Sequence, residues 1–179
     1  MILLVSTCKY RLSEEEFVKP VARIVEESGY KHVLRRYYEE TEFSQYDKII
    51  ICGTALKDFE YLKYLSNFKK LLDYRGKVLG ICAGYHILAK IYGNSLEELK
   101  KIGVYRVKLL KANPLTSMSE FNAYFLHIYS LSKVNDKLEP LALQENEVCL
   151  FKVKEKDFYG VSFHPEVLNR DIIENFLKL

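Results

Sequence analysis

The chain has 179 residues, 49% of them hydrophobic and 28% charged, with a formal net charge of +3. That size and balance suit a single globular domain over residues 1–179, and so small a positive charge leaves no footprint for nucleic-acid binding. Cys8, Cys52, Cys82 and Cys149 are scattered without a Cys-x-x-Cys pair, so neither a disulfide framework nor a metal site is expected, and no cofactor is implied. No apolar run approaches membrane-spanning length and Met1-Ile2-Leu3-Leu4-Val5 lacks a basic leader region, so a cytoplasmic protein without membrane contact is expected.

In chain order, Ile2 to Val5 reads as a strand buried on both faces, with Thr7 to Tyr10 leaving its carboxyl end. Ser13 and Glu16 have capping-box form, and Phe17, Val21, Ile24 and Val25 continue a helical stripe to Gly29, with Pro20 kinking that helix or opening its regular part. Lys31 to Tyr38 predicts a more exposed strand, with His32 on the surface, and Tyr46 to Cys52 a buried one closed by Gly53. Asp58 to Leu72 places Tyr61, Leu65, Phe68 and Leu72 on one helical face before Gly76. Lys69-Lys70 and Lys100-Lys101 are read as water-facing pairs on helices.

Strand, helix and strand alternate in this way through the first two-thirds. The pattern predicts an α/β fold, an open, doubly wound, mostly parallel sheet with helices on both faces. From Ile102 onward strands dominate, at Val104 to Leu110, Tyr124 to Tyr129, Leu138 to Leu143, Val148 to Lys152 and Tyr159 to Phe163. They predict an antiparallel extension in the C-terminal half, before a closing helix from about Asn169 to Lys178.

The segment Lys77-Val78-Leu79-Gly80-Ile81-Cys82-Ala83-Gly84-Tyr85-His86 runs an apolar strand into a glycine-flanked cysteine and then a helix. That is the layout of a nucleophile elbow, in which small neighbours make room for a sharp turn. The helix aims its unpaired N–H groups at the sulfur and favours negative charge there. A cysteine nucleophile needs a base, and the base needs an orienting group. His164 in Gly160-Val161-Ser162-Phe163-His164-Pro165-Glu166 is extended by the proline after it, and Glu166, two residues on, can reach its imidazole. Cys52 and Cys149 are expected to be packed in strands.

The strand ending at Gly53, the Cys82 elbow and the late Gly-x-x-Phe-His-Pro-Glu together resemble the class I glutamine amidotransferases over almost the whole chain. The resemblance implies that family's flavodoxin-like fold and glutamine as substrate. It implies Cys82 as nucleophile, His164 as acid and base, and Glu166 as orienter. Backbone N–H groups of Gly53, Thr54 and Ala83 would form the oxyanion hole, and His86, His127, Ile128 and Tyr129 would contact substrate. Ammonia would pass to a separate synthetase chain. Within the family the features look most like the amidotransferase subunits of GMP synthase, then those of anthranilate synthase. A gamma-glutamyl peptide hydrolase or cysteine peptidase, and a non-catalytic glutamine-binding protein with a regulatory role, are the alternatives.

Three segments depart from the family pattern. Gly53-Thr54-Ala55 stands where relatives usually carry Gly-Gly-Pro, so Thr54 brings a Cβ to a loop that usually has none. His86 stands where a glutamine usually helps bind substrate. In Tyr124-Phe125-Leu126-His127-Ile128-Tyr129-Ser130, His127 matches the histidine of the Ser-His-x-Asp form of GMP synthases, whereas Ile128 and Tyr129 differ.

Overall fold

The computed structural model describes residues 1–179. Its nine strands are β1 (Ile2–Ser6), β2 (His32–Arg36), β3 (Lys48–Ile51), β4 (Lys77–Ile81), β5 (Glu97–Leu109), β6 (Glu120–Ser130), β7 (Leu138–Gln144), β8 (Glu147–Val153) and β9 (Phe158–Val161). The helices are α1 (Glu14–Phe17), α2 (Lys19–Glu27), α3 (Leu65–Phe68), α4 (Ala83–Ile91), α5 (Pro165–Leu168) and α6 (Arg170–Lys178). All strands join one sheet in the order β2-β1-β3-β4-β9-β8-β7-β5-β6. The first five in that order are parallel, and the last four pair antiparallel. The expected doubly wound sheet with an antiparallel extension is therefore what forms.

Alternation along the central strands feeds two cores. Leu4, Ile50, Leu79 and Ile81 pack with Phe17, Val21, Ile24, Ile173 and Phe176 from α1, α2 and α6. Leu3, Ile49, Ile51 and Val78 pack on the other face with Phe68, Ile87 and Leu88 from α3 and α4. Successive side chains of a strand point to opposite faces, so an unbroken apolar run supplies both layers. No helix is long and apolar enough to cross a membrane.

Several sequence expectations need correction. Ser13 caps nothing, because its own backbone is helical (φ −66, ψ −20) and it closes a 3-10 turn ahead of α1, whereas an N-cap needs extended dihedrals. Pro20 takes the second of its two expected roles, opening the regular part of the helix in the first turn of α2, where its missing N–H costs nothing. The Asp58 to Leu72 stretch is mostly 3-10, broken only by α3. A three-residue period carries the buried face from Phe68 to Leu71 and leaves Leu72 40% exposed. His32 is half-buried, with Nδ1 3.7 Å from Glu26.

Lys100 and Lys101 lie on β5 and not on a helix, so they face opposite ways, and Lys101 is buried. β9 is parallel to β4 although every other strand of the second half is antiparallel to its neighbours. The last strand of the chain is thereby inserted beside the strand that leads to Cys82. α6 closes the fold as expected, with Ile172, Ile173, Phe176 and Leu177 buried.

Candidate active site

Cys82 is the single residue between β4 and α4, with φ 48 and ψ −94. A non-glycine residue held there costs roughly 1–3 kcal/mol and persists only when its surroundings fix it. Here the Cys82 N–H donates to Val161 O at 2.8 Å, and its C=O accepts from the His86 N–H at 3.0 Å. A Cβ on Gly84 would lie 2.3 Å from Ile51 O, and one on Gly80 2.5 Å from the Gly84 backbone. The turn is therefore tight enough to demand both glycines. Ala83 opens α4, so its N–H has no acceptor within the helix.

Parallel pairing brings the other groups to the same edge. β3, β4 and β9 are consecutive neighbours, so Gly53, Cys82 and His164 all emerge at their carboxyl ends. His164 is extended (φ −105, ψ 90), its N–H donates to Tyr124 O at 2.8 Å, and Phe17 packs on its ring. Its Nδ1 is 2.7 Å from Glu166 Oε1, and both side chains are buried. Burial alone would lower the imidazole pKa, but the Glu166 carboxylate and then the Cys82 sulfur outweigh it, holding His164 well above the ordinary histidine value. Gly53 fills the space between them: a Cβ there would sit 2.6 Å from His164 Cε1 and 3.3 Å from Cys82 Cβ.

A recess over Cys82 is lined by Thr54, Asp58, Phe59, Tyr61, His86, Leu126, His127 and Ile128, among others. The free room inside is about 10 Å³, space for a single water. Phe59, on its wall, meets Tyr129 edge-on, ring centroids 5.3 Å apart. Thr54 causes no backbone strain, since its φ is not positive, and its hydroxyl donates to Asp58 Oδ2 at 2.7 Å. The same oxygen accepts the Lys9 N–H at 2.7 Å, so Asp58 is engaged within the loop. Of the four residues expected at the substrate, His86, His127 and Ile128 line the recess, whereas Tyr129 contributes its C=O to His86 and its ring to Phe59.

Both nitrogens of His86 are committed. Nε2 donates to Tyr129 O at 2.7 Å, which leaves Nδ1 to accept from Tyr61 Oη at 2.7 Å. Burial lowers the His86 pKa to about 4, so the ring is neutral and ties α4 to β6 and to the 3-10 segment over the recess. Tyr61 is not legible as a site residue in the sequence, because helical periodicity marks its burial and not its hydroxyl's partner. A depressed folded-state pKa binds fewer protons than the unfolded chain, so stability on this group's account is fully present above about pH 6.5 and is lost as pH falls toward 4. Urea unfolding at about pH 7.5 and about pH 4.5 should therefore show a loss roughly 2 kcal/mol smaller in His86→Gln than in the native chain. An identical loss in both would contradict a buried neutral imidazole.

The remaining cysteines are all free and buried. Burial raises the pKa of Cys52 and Cys149 well above the ordinary thiol value; Cys149 is packed in β8 as expected, whereas Cys52 lies just past the end of β3. Cys8 is also buried, its thiol 3.7 Å from Gly53 O.

A family model described as glutamine amidotransferase class-I matches residues 13–178. The chain belongs to the class I glutamine amidotransferases. Among curated members, a subunit of the glutamine-hydrolysing GMP synthase of Methanococcus vannielii is 37% identical over 117 residues, covering 57% of this chain and 59% of that one. Matches of this kind thus span less than two thirds of those relatives' length. Anthranilate synthase component 2 of Saccharolobus solfataricus is 28% identical over 184 residues, covering 92% of this chain and 94% of the other. Among solved structures, one described as a GMP synthase subunit from Thermoplasma acidophilum superposes with a TM-score of 0.84 at 22% identity, covering 99% of this family member and 93% of the other chain.

Proposed function

We propose that the chain hydrolyses glutamine and supplies ammonia to a separate synthetase. The observation that carries this reading is the Cys82, His164 and Glu166 constellation at adjacent strand ends, with Gly53 clearing the space between ring and sulfur. In the proposed reaction the Cys82 sulfur attacks the side-chain amide carbon of glutamine, and the oxyanion is met by N–H groups of Ala83 and the Gly53-Thr54 turn. The C–N bond breaks as His164 passes its proton to the leaving nitrogen, giving ammonia and a glutamyl thioester. Water then attacks, His164 takes its proton, and glutamate leaves as the sulfur is restored. Glu166 holds His164 through Nδ1 and balances its charge, which agrees with the raised His164 pKa.

The proposed acceptor is a GMP synthase-type synthetase chain, since relatives are named as subunits of that glutamine-hydrolysing enzyme. Dependence on this partner is supported by the narrow recess, because room for one water cannot admit glutamine until lining segments such as that of Phe59 move. A binding-competent state that is scarcely populated weakens substrate binding in proportion, and a partner that favours it restores turnover. Glutamate release should therefore be slow for the chain alone and rise at least about tenfold with the synthetase added. Equal rates with and without it would remove the gating, and no release in either case would remove the glutaminase reading. An anthranilate synthase-type acceptor is tested in parallel; stimulation by that chain alone would reassign the partner.

A further inference from the structure

Tyr61 lies on the 3-10 stretch Glu60–Tyr64, is buried, and belongs to the same core as Phe68, Ile87 and Leu88. A phenylalanine would fill the same apolar volume, so what the hydroxyl adds is a bond. Its partner is His86 Nδ1 at 2.7 Å, and the two rings are tilted by only 14°. Burial holds the Tyr61 phenol well above its ordinary pKa and the His86 imidazole at about 4, so the hydroxyl donates and the ring nitrogen accepts. From Phe59 to Ser66 this is the one hydrogen bond that reaches another element.

His86 carries the connection on to both sides of Cys82. Its N–H donates to Cys82 O at 3.0 Å and its Nε2 to Tyr129 O at 2.7 Å. Further back on β6, Leu126 O accepts from the Cys82 thiol at 3.6 Å. Tyr61, His86 and Leu126 all line the recess, so its walls on the 3-10 stretch, α4 and β6 are joined through one imidazole. A neutral ring that accepts at one nitrogen and donates at the other satisfies both partners in a single tautomer and a narrow range of positions. Without the Tyr61 hydroxyl, Nδ1 would be a buried acceptor left unpaired, which is costly, whereas in a wider recess water would pair it. The bond therefore favours the narrow state over a wider one.

We infer that Tyr61 is a positioning residue whose hydroxyl, through His86, holds the recess over Cys82 at a width that excludes substrate-sized molecules. Its effect on access to the sulfur stands on this geometry alone; its bearing on glutamine rests on the glutaminase reading. Under that reading the Tyr61–His86 contact is the one a synthetase must break or shift to admit substrate. Scarcity of the wide state then weakens glutamine binding in proportion.

Labelling of Cys82 reads the width directly, by peptide mass spectrometry after treatment with iodoacetamide or with the bulkier N-phenylmaleimide. In Tyr61→Phe the maleimide rate should rise roughly tenfold, the scale of one buried acceptor left unpaired, and the iodoacetamide rate by less. Cys149, buried in β8, is the internal control in the same digest. For the chain without synthetase, the KM for glutamine should fall by a similar factor, and stimulation by the synthetase should shrink to match. Loss of a merely structural bond would not lower KM. Unchanged labelling of Cys82 overturns the inference. Equal acceleration by both reagents also overturns it, since that means a more reactive sulfur at the same width, and so does a parallel rise at Cys149, which means general loosening. Selective maleimide labelling with an unchanged KM overturns the contact as the bar to glutamine. The same labelling with no glutamate released, synthetase present, keeps the role of Tyr61 and removes the glutaminase reading.

Discussion

Cys82→Ala should abolish glutamate release, by at least about 10⁴-fold in kcat, while the chain remains folded, because removal of a nucleophile leaves only binding and the oxyanion site. The substitution keeps a Cβ at φ 48 and therefore keeps the strain of the turn. Cys82→Gly removes the Cβ as well as the sulfur, and should be more stable than Cys82→Ala by about 1 kcal/mol or more. Thermal unfolding of the two inactive variants measures that difference. Equal stabilities would mean that the elbow stores no strain, and residual activity in either would place the chemistry on another group.

Gly84→Ala should be the most damaging small substitution for the fold. A Cβ there meets Ile51 O at 2.3 Å and Ile51 Cβ at 2.9 Å, and backbone of the central sheet cannot move aside as a flexible side chain would. Overpacking of that kind costs about 3 kcal/mol, or roughly a 10 °C fall in Tm for a domain of this size. Gly29→Ala is the matched control. Gly29 has φ +84 with nothing within 4 Å of an added Cβ, so its cost is the left-handed conformation alone, about 1 kcal/mol. Comparable melting temperatures for the two variants would contradict the close approach of α4 to β3.

What the sequence discloses follows from how local each feature is. Gly80, Cys82 and Gly84 lie within five consecutive residues, and the need for Gly80 is set inside that stretch by the Gly84 backbone, whereas the need for Gly84 is set by Ile51 on β3. His164 and Glu166 are likewise near neighbours whose relation follows from extended backbone and one proline. Their meeting with Cys82 is legible only through the resemblance, since it depends on β9 slotting between β4 and β8, and no periodicity reports which strands pair. The cluster in which Lys101, Ser130 and Ser162 surround the buried Glu147 escapes notice for the same reason: each is an ordinary polar residue until β5, β6, β8 and β9 are assembled. The shift from Leu72 to Leu71 is subtler, because a 3-10 period of three residues departs from the α-helical period of 3.6 by less than one position per turn. His86 stands out as a departure from the family pattern, yet its neutral state and its bonds to Tyr61 and Tyr129 come from tertiary burial.

The position of Thr54 shows how a departure can be absorbed. Its Cβ enters a loop that relatives usually build from glycine, but the backbone there has no need of a positive φ, and the hydroxyl holds Asp58, which also fixes the Lys9 N–H. The loops after β1 and β3 are thereby tied together beside Cys82. A similar coupling runs through His86 to β6 and Tyr61, so the walls of the recess are held by hydrogen bonds from several elements.

Acid quenching of the glutamine-loaded protein with its synthetase, followed by peptide mass spectrometry, tests the proposed chemistry most directly. A glutamyl group carried by the Cys82 peptide, absent from Cys8, Cys52 and Cys149 and absent in Cys82→Ala, is the expected result. Glutamate formation with no acyl group on Cys82, or with the group on another residue, would contradict it.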